Sequence, residues 1–214
     1  MQPKAVLFDM DGVIVNSERY WVELEENEIF PSVVSGSVDV SETTGMNFRE
    51  IYDYLDEEYE TTESKEEFVD RFEEAAREIY GERVELMDGF RDLAADLRAE
   101  GITVALVSSS PPNWIDRMLD RFELRDAFDE IISAEHIAGA GKPAPDIYEH
   151  AAVEVGAEPE ECVAVEDSEN GIEAARRAGM RVVGYRNQSD EELDLSEADA
   201  VASSAAELRD ELLG

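Results

Sequence analysis

Three short apolar runs, far apart along the chain, each stop at a cluster of polar residues. Ala5-Val6-Leu7-Phe8 stops at Asp9 and Asp11, and Ile102 to Val107 stops at Ser108, Ser109 and Ser110. Cys162 to Val165 stops at Glu166, Asp167 and Ser168. Runs this short and uninterrupted have the character of strands buried on both faces, as in a parallel sheet. In such a sheet the three ends share one edge, and open α/β sheets bind ligands at that carboxyl edge. The fold constraint is therefore also a constraint on where chemistry takes place.

The segments between and after these runs read as helices. Phe90, Leu93, Ala94 and Leu97 have helical spacing and precede Gly101; Pro145 to Val155 and Ile172 to Ala178 end before glycines; Ala205 to Leu213 closes the chain. Ser110 is placed to cap a helix that has Pro111 at its first position. Further strands are expected at Glu130–Ser133, Arg181–Gly184 and Ala200–Ala202. Strands alternating with helices imply parallel βαβ units. Residues 16 to 86 differ. They are rich in Glu, Tyr and Phe, with helical spacing at Phe68, Phe72, Ala75, Ala76 and Ile79. They read as a helical insertion without strands, and Asn47 with Glu50 fits a helix-start capping box.

Composition restricts partners. Asp and Glu number 54 against 18 Lys and Arg, a formal net charge of -36, and the lysines are Lys4, Lys65 and Lys142 alone. Such a field repels nucleic acid and anionic membranes. The acids are spread along the whole chain, as in proteins of a molar-salt cytoplasm, where screening acts over roughly 3 Å. Eleven acids between Asp53 and Glu74 read as a solvated helix surface. The single cysteine, Cys162, sits in an apolar run and reads as a buried thiol. There is no signal-peptide pattern and no apolar stretch of membrane-spanning length. A cytoplasmic protein, monomer or weak homodimer, is expected.

Four acids at one sheet edge repel one another unless a cation joins them, and oxygen-only ligands favour magnesium. Lys142 lies in the loop Gly139-Ala140-Gly141-Lys142-Pro143. In a chain that has nearly discarded lysine, its retention there points to a role for a compact ammonium.

Asp9-Met10-Asp11-Gly12-Val13, the serines after the second strand, Gly141-Lys142-Pro143-Ala144-Pro145-Asp146-Ile147-Tyr148 and Val165-Glu166-Asp167-Ser168 match, in order and spacing, the four motifs of the haloacid dehalogenase-like hydrolases. The chain resembles in particular the subgroup holding β-phosphoglucomutase and phosphoglycolate phosphatase. The resemblance implies a Rossmann-like parallel-sheet core, residues 1–15 and 87–214, with a helical cap at 16–86. It implies Asp9 as nucleophile, forming an aspartyl-phosphate, and Asp11 as general acid and base. Ser108 and Lys142 then hold the phosphoryl group, with Ser109 contributing backbone. Magnesium is held by Asp9, the carbonyl of Asp11, Glu166 and Asp167. Arg49, in a cap loop that meets substrate in relatives, is a candidate for a second anionic group. The cap is expected to hinge near Val15-Asn16 and Glu85-Asp88.

The expected activity is magnesium-dependent hydrolysis of a small phosphomonoester, of the sugar phosphate or phosphoglycolate class. Dehalogenases lack the second acid, so Asp11 argues against them. In phosphosugar mutases a cap histidine governs the second Asp; here Trp21 falls at that place. Phospho-acceptor signalling domains are shorter and lack an insertion after strand one.

Overall fold

Strand β1 (Ala5–Phe8) lies in the middle of a parallel sheet because all four of its side chains are apolar and apolar layers receive them on both sides. The computed structural model describes residues 2–43, 46, 48–187 and 193–214. Among these, β2 (Thr103–Ser108), β3 (Glu130–Ser133), β4 (Cys162–Glu166), β5 (Arg181–Tyr185) and β6 (Ala200–Ala202) join β1 in the order β3-β2-β1-β4-β5-β6. All pairings are parallel. The register sets Phe8 beside Leu106 and Val165, so the polar residues beyond them emerge together at one edge.

The two-residue period of a strand sorts side chains between faces. Val6, Phe8, Leu106 and Val165 face α5 (Phe90–Ala99), α6 (Pro112–Arg121) and α9 (Ala205–Leu213). Ala5, Leu7, Val107 and Ala164 face α7 (Asp146–Glu154) and α8 (Glu169–Arg177). This is the α/β, Rossmann-like arrangement expected, a parallel sheet flanked by helices. No helix among the described residues is long and apolar enough to cross a membrane.

Between β1 and α5 the chain is helical: α1 (Glu18–Leu24), a π-helical turn (Glu25–Ile29), α2 (Phe30–Val33), α3 (Phe48–Glu58), α4 (Lys65–Glu78) and a second π-helical turn (Ile79–Arg83). Of the predicted stripe, Phe68, Phe72, Ala76 and Ile79 are buried and Ala75 is half-buried at its margin. A capping box starts α4, with Ser64 and Glu67 bonding each other's backbone N–H. The box expected at Asn47 lies outside the described residues.

The two connections to this helical layer run side by side. Glu85 N–H donates to Asn16 Oδ1 at 2.7 Å, Asn16 Nδ2 donates to Glu85 Oε2 at 2.9 Å, and Val15 bridges Leu86. The layer is docked over the sheet edge by four stacked rings. Trp21 and Phe48 stack on Trp114 of α6 with centroid distances of 5.1 and 4.9 Å, and Phe72 stacks on both of them at 5.3 and 5.6 Å. Trp114 Nε1 also donates to Glu73 at 3.1 Å. Offset aromatic pairs of this kind contribute about 0.5–1.5 kcal/mol each beyond their buried area.

Candidate active site

A cavity of about 560 Å³ lies between the sheet edge and the helical layer. Asp9, Asp11, Lys142 and Asp167 line it from the sheet side, Trp21 and Tyr80 from the other. Asp9 follows β1 directly, its backbone N–H held by the Val165 carbonyl at 3.0 Å. Lys142 reaches back from its loop and donates to Asp9 Oδ1 at 2.7 Å and Glu166 Oε1 at 2.6 Å. The Tyr148 hydroxyl donates to the same Glu166 oxygen. All three charged groups are buried, so each depends on the others. Removing one partner from such a group costs about 3–5 kcal/mol. Burial alone would favour the neutral amine of Lys142, but Asp9 and Glu166 together hold its ammonium well above the ordinary lysine range. Burial pushes the Asp9 carboxyl up, Lys142 opposes this, and Glu166 and Asp11 add to it.

Asp167 has no such partner. Among the described residues no hydrogen bond reaches its carboxyl, although it is buried. Burial raises its proton affinity, and Glu18, Asp9 and Glu166 raise it further. Asp9, Glu166 and Asp167 each offer an oxygen, and these lie within 4.8 Å of one another. Two glycines let these carboxylates sit where they do. A Cβ on Gly12, which has φ +77, would stand 1.5 Å from Asp167 Oδ2, and one on Gly171 would stand 2.0 Å from Glu166 Oε2. A buried all-oxygen set with one orphaned carboxylate fits a hard divalent cation.

Asp11 is held differently. Ser17 Oγ and the Tyr80 hydroxyl donate to its Oδ1, each at 2.6 Å, and Ser110 Oγ donates to Oδ2 at 2.7 Å. Trp21 Nε1 donates in turn to the Tyr80 oxygen at 3.1 Å. Burial, then the nearby Asp11, push the Tyr80 phenol well above its usual range, so it stays a donor. The two aspartates of one short motif are thus in separate networks, one beside an ammonium, the other among hydroxyls.

The other expected residues fall as follows. Ser108 is buried, and its hydroxyl accepts from Ser110 N–H at 3.0 Å. Ser109 lines the cavity. Arg49 pairs with Glu135 and stacks over Phe48, and is not among the lining residues. Ser110 is not a helix cap. The helix starts at Pro112 with Pro111 at the cap position, so Ser110 lies one residue outside it and its hydroxyl donates to Asp11 instead. Ser17, Tyr80 and Tyr148 went unread in the sequence, because nothing in their local pattern distinguishes them from packing residues.

Glu25 was also missed. It opens the first π-helical turn, is 8% exposed, and lines the cavity. Among the described residues nothing hydrogen-bonds or pairs with its carboxyl. Burial pushes its pKa from 4.5 to about 8. The native state therefore keeps the proton while the unfolded chain releases it. Its contribution to stability is full below pH 4.5 and is lost as pH rises to about 8. Glu25→Gln is expected to be more stable than wild type at pH 8, by a few kcal/mol as an order of magnitude, with the gap closing by pH 4.5. Denaturant melts at several pH values check this; a gap independent of pH would exclude it.

A carboxylate centre with one buried ammonium, set at the carboxyl edge of a parallel sheet and covered by helices, marks the ligand-binding edge of an open-sheet α/β protein. Comparison with known proteins agrees. The family model described as haloacid dehalogenase-like hydrolase matches residues 3–179. The chain is 34% identical over 184 residues to hexitol phosphatase B of Escherichia coli (strain K12), covering 84% of this chain and 82% of that protein. It is 31% identical over 190 residues to β-phosphoglucomutase of Bacillus subtilis (strain 168), covering 85% and 82%. The crystal structure of CbbY from Rhodobacter sphaeroides in complex with phosphate superposes with a TM-score of 0.80 at 25% identity, covering 96% of each chain. The chain belongs to the haloacid dehalogenase-like hydrolase family and is an enzyme of that family.

Proposed function

We propose that the protein is a magnesium-dependent phosphatase that hydrolyses a small sugar-type phosphomonoester through an aspartyl-phosphate. The observation that carries this reading is the placement of Asp9 2.7 Å from the buried Lys142, with Asp11 on the same side of the cavity in its own hydroxyl network. An Asp9 oxygen attacks phosphorus as the ester P–O bond breaks, and Asp11 gives a proton to the departing oxygen. Asp11 then takes a proton from the water that attacks the aspartyl-phosphate, which releases inorganic phosphate and restores Asp9. Lys142 offsets charge on the phosphoryl group, with Ser108 and Ser109 beside it. Asp9, Glu166 and Asp167, with the carbonyl of Asp11, would hold magnesium, which supplies further charge neutralisation at the phosphoryl oxygens. Residues 16–86 act as a cap over the core of 1–15 and 87–214. The names of the relatives, a hexitol phosphatase and a phosphoglucomutase, support a carbohydrate phosphate.

Phosphosugar mutase is the second reading, favoured by the β-phosphoglucomutase relative. Against it, the groups that meet Asp11 from the cap are the Ser17 hydroxyl and the Tyr80 phenol, the latter supported by Trp21, and not an imidazole that exchanges protons near neutral pH. The test is phosphate release from a panel of sugar and polyol phosphates. Chelation by EDTA is expected to abolish turnover, and added magnesium to restore it. Magnesium at 100 times its Kd is also expected to stabilise the fold by about 2.7 kcal/mol. Turnover unaffected by EDTA would overturn the metal assignment.

The acid surplus is assigned to function in concentrated salt. Folding a chain of net charge -36 brings like charges together, and molar salt screens them. The melting temperature is expected to climb as KCl rises from dilute buffer to several molar. A flat or falling series would leave that assignment without support.

A further inference from the structure

The cavity has a phosphate end, at Asp9 and Lys142, and a far end in the cap. Among the described residues, the far end holds no cation free to receive a second anion. Among the described residues the basic ones lining the cavity are Lys142 and Arg19. Lys142 is held between Asp9 and Glu166, and Arg19 is turned to Glu85 at 3.2 Å with its guanidinium over the Tyr20 ring. Arg49 is tied to Glu135. What the cap does present is Glu25, a carboxyl more than nine-tenths buried, directed into the cavity and without a partner among the described residues. The same cavity is lined by apolar Trp21, Val22 and Phe72 and by the acids Glu18, Glu23 and Glu26.

An orphaned buried polar group destabilises a fold, so one that persists at a cavity wall invites a functional account. Glu25 also opens a π-helical turn, a distortion that recurs at functional sites. We propose that Glu25 is a specificity-determining residue, whose carboxyl hydrogen-bonds a hydroxyl on an uncharged, polyol-type tail of the substrate. Burial keeps this carboxyl protonated at neutral pH, so it offers an O–H donor and a C=O acceptor, the complement of an alcohol. A substrate with a second phosphate or a carboxylate at that end finds acids there and no available cation. The selection is for polyol monophosphates over bisphosphates and phosphoglycolate. This inference rests on the phosphatase reading above and deepens it.

The experiment compares wild type, Glu25→Gln and Glu25→Leu on four substrates: sorbitol 6-phosphate, phosphoglycolate, phosphoethanolamine and 4-nitrophenyl phosphate, which has no hydroxyl on its tail. Wild type is expected to prefer sorbitol 6-phosphate over phosphoglycolate. Glu25→Leu is expected to lose roughly 10–100-fold in kcat/KM on sorbitol 6-phosphate and to keep its activity on 4-nitrophenyl phosphate. Glu25→Gln, which retains a donor and an acceptor, is expected to stay close to wild type on both. Glu25→Ala serves as the apolar variant if Glu25→Leu does not fold. Equal loss on both substrates would make Glu25 a structural residue and overturn the proposal. So would equal loss in the Gln and Leu variants with phosphoethanolamine as the better substrate, since a charge would then be selecting a cation. A wild-type enzyme that hydrolyses none of the four would remove the phosphatase reading itself, and the proposal with it.

Discussion

Asp9→Asn is expected to reduce phosphatase turnover to background, a loss on the order of 10⁴-fold or more. The amide is a poor nucleophile, and no second carboxylate can take its place. Glu166 is occupied by Lys142 and Tyr148, Asp167 lies with the proposed metal ligands, and Asp11 is bound by three hydroxyls. The substitution also removes a charge from the Lys142 ion group, so Lys142 would keep Glu166 alone as its anionic partner. Loss of turnover must therefore be separated from loss of fold. A circular dichroism spectrum and a melt of the variant do this, and mass spectrometry of the wild type during turnover seeks a phosphoryl group on the peptide that contains Asp9. Near wild-type turnover in a folded Asp9→Asn protein would exclude the covalent route.

Asp11→Asn is expected to cost roughly 10²–10⁴-fold in kcat, the range typical of a lost proton-transfer group. Metal affinity is expected to persist, because the oxygens gathered within 4.8 Å belong to Asp9, Glu166 and Asp167 and not to the Asp11 side chain. The two steps should respond differently. With 4-nitrophenyl phosphate the leaving group needs no proton, so Asp9 should still be phosphorylated. Water then lacks its base, and the aspartyl-phosphate should accumulate. Calorimetry that found magnesium binding lost equally in Asp9→Asn and Asp11→Asn would contradict this division of labour.

On the proposed mechanism, Tyr80 ties that chemistry to the position of the helical layer. It lies in that layer and donates at 2.6 Å to Asp11 at the sheet edge, and Trp21 of the same layer supports its oxygen. The contact exists only while the helical layer sits over the sheet edge. Opening at the paired connections, Asn16 with Glu85 and Val15 with Leu86, would withdraw one of three donors from Asp11. The orphaned Glu25 on the same cavity wall is of a piece with this, since groups that face a ligand commonly carry a stability deficit in its absence.

The sheet and its edge were legible in the sequence because their signal is local. A four-residue apolar run bounded by acids encodes both a buried strand and the place where it leaves the core, and β1, β2 and β4 lie where their apolar runs stop. Lys142 was legible for a compositional reason, since lysine is scarce in this chain. The surroundings of Asp11 were not legible. Its donors come from 6, 69 and 99 residues away, and each is a common residue in an ordinary context until the chain path brings it to one carboxylate. Ser110 shows the limit well: its position suits a helix cap, but the helix starts one residue later and the hydroxyl donates to a carboxylate 99 residues away. Glu25 was hidden among the chain's 54 acids. Nothing in the sequence marks which acid is buried, because burial follows from how the cap helices dock on Trp114 and the sheet edge. Local pattern determined where the strands end and which chemistry they deliver. Packing over long sequence distances decided which side chains converge there, and what their protons cost.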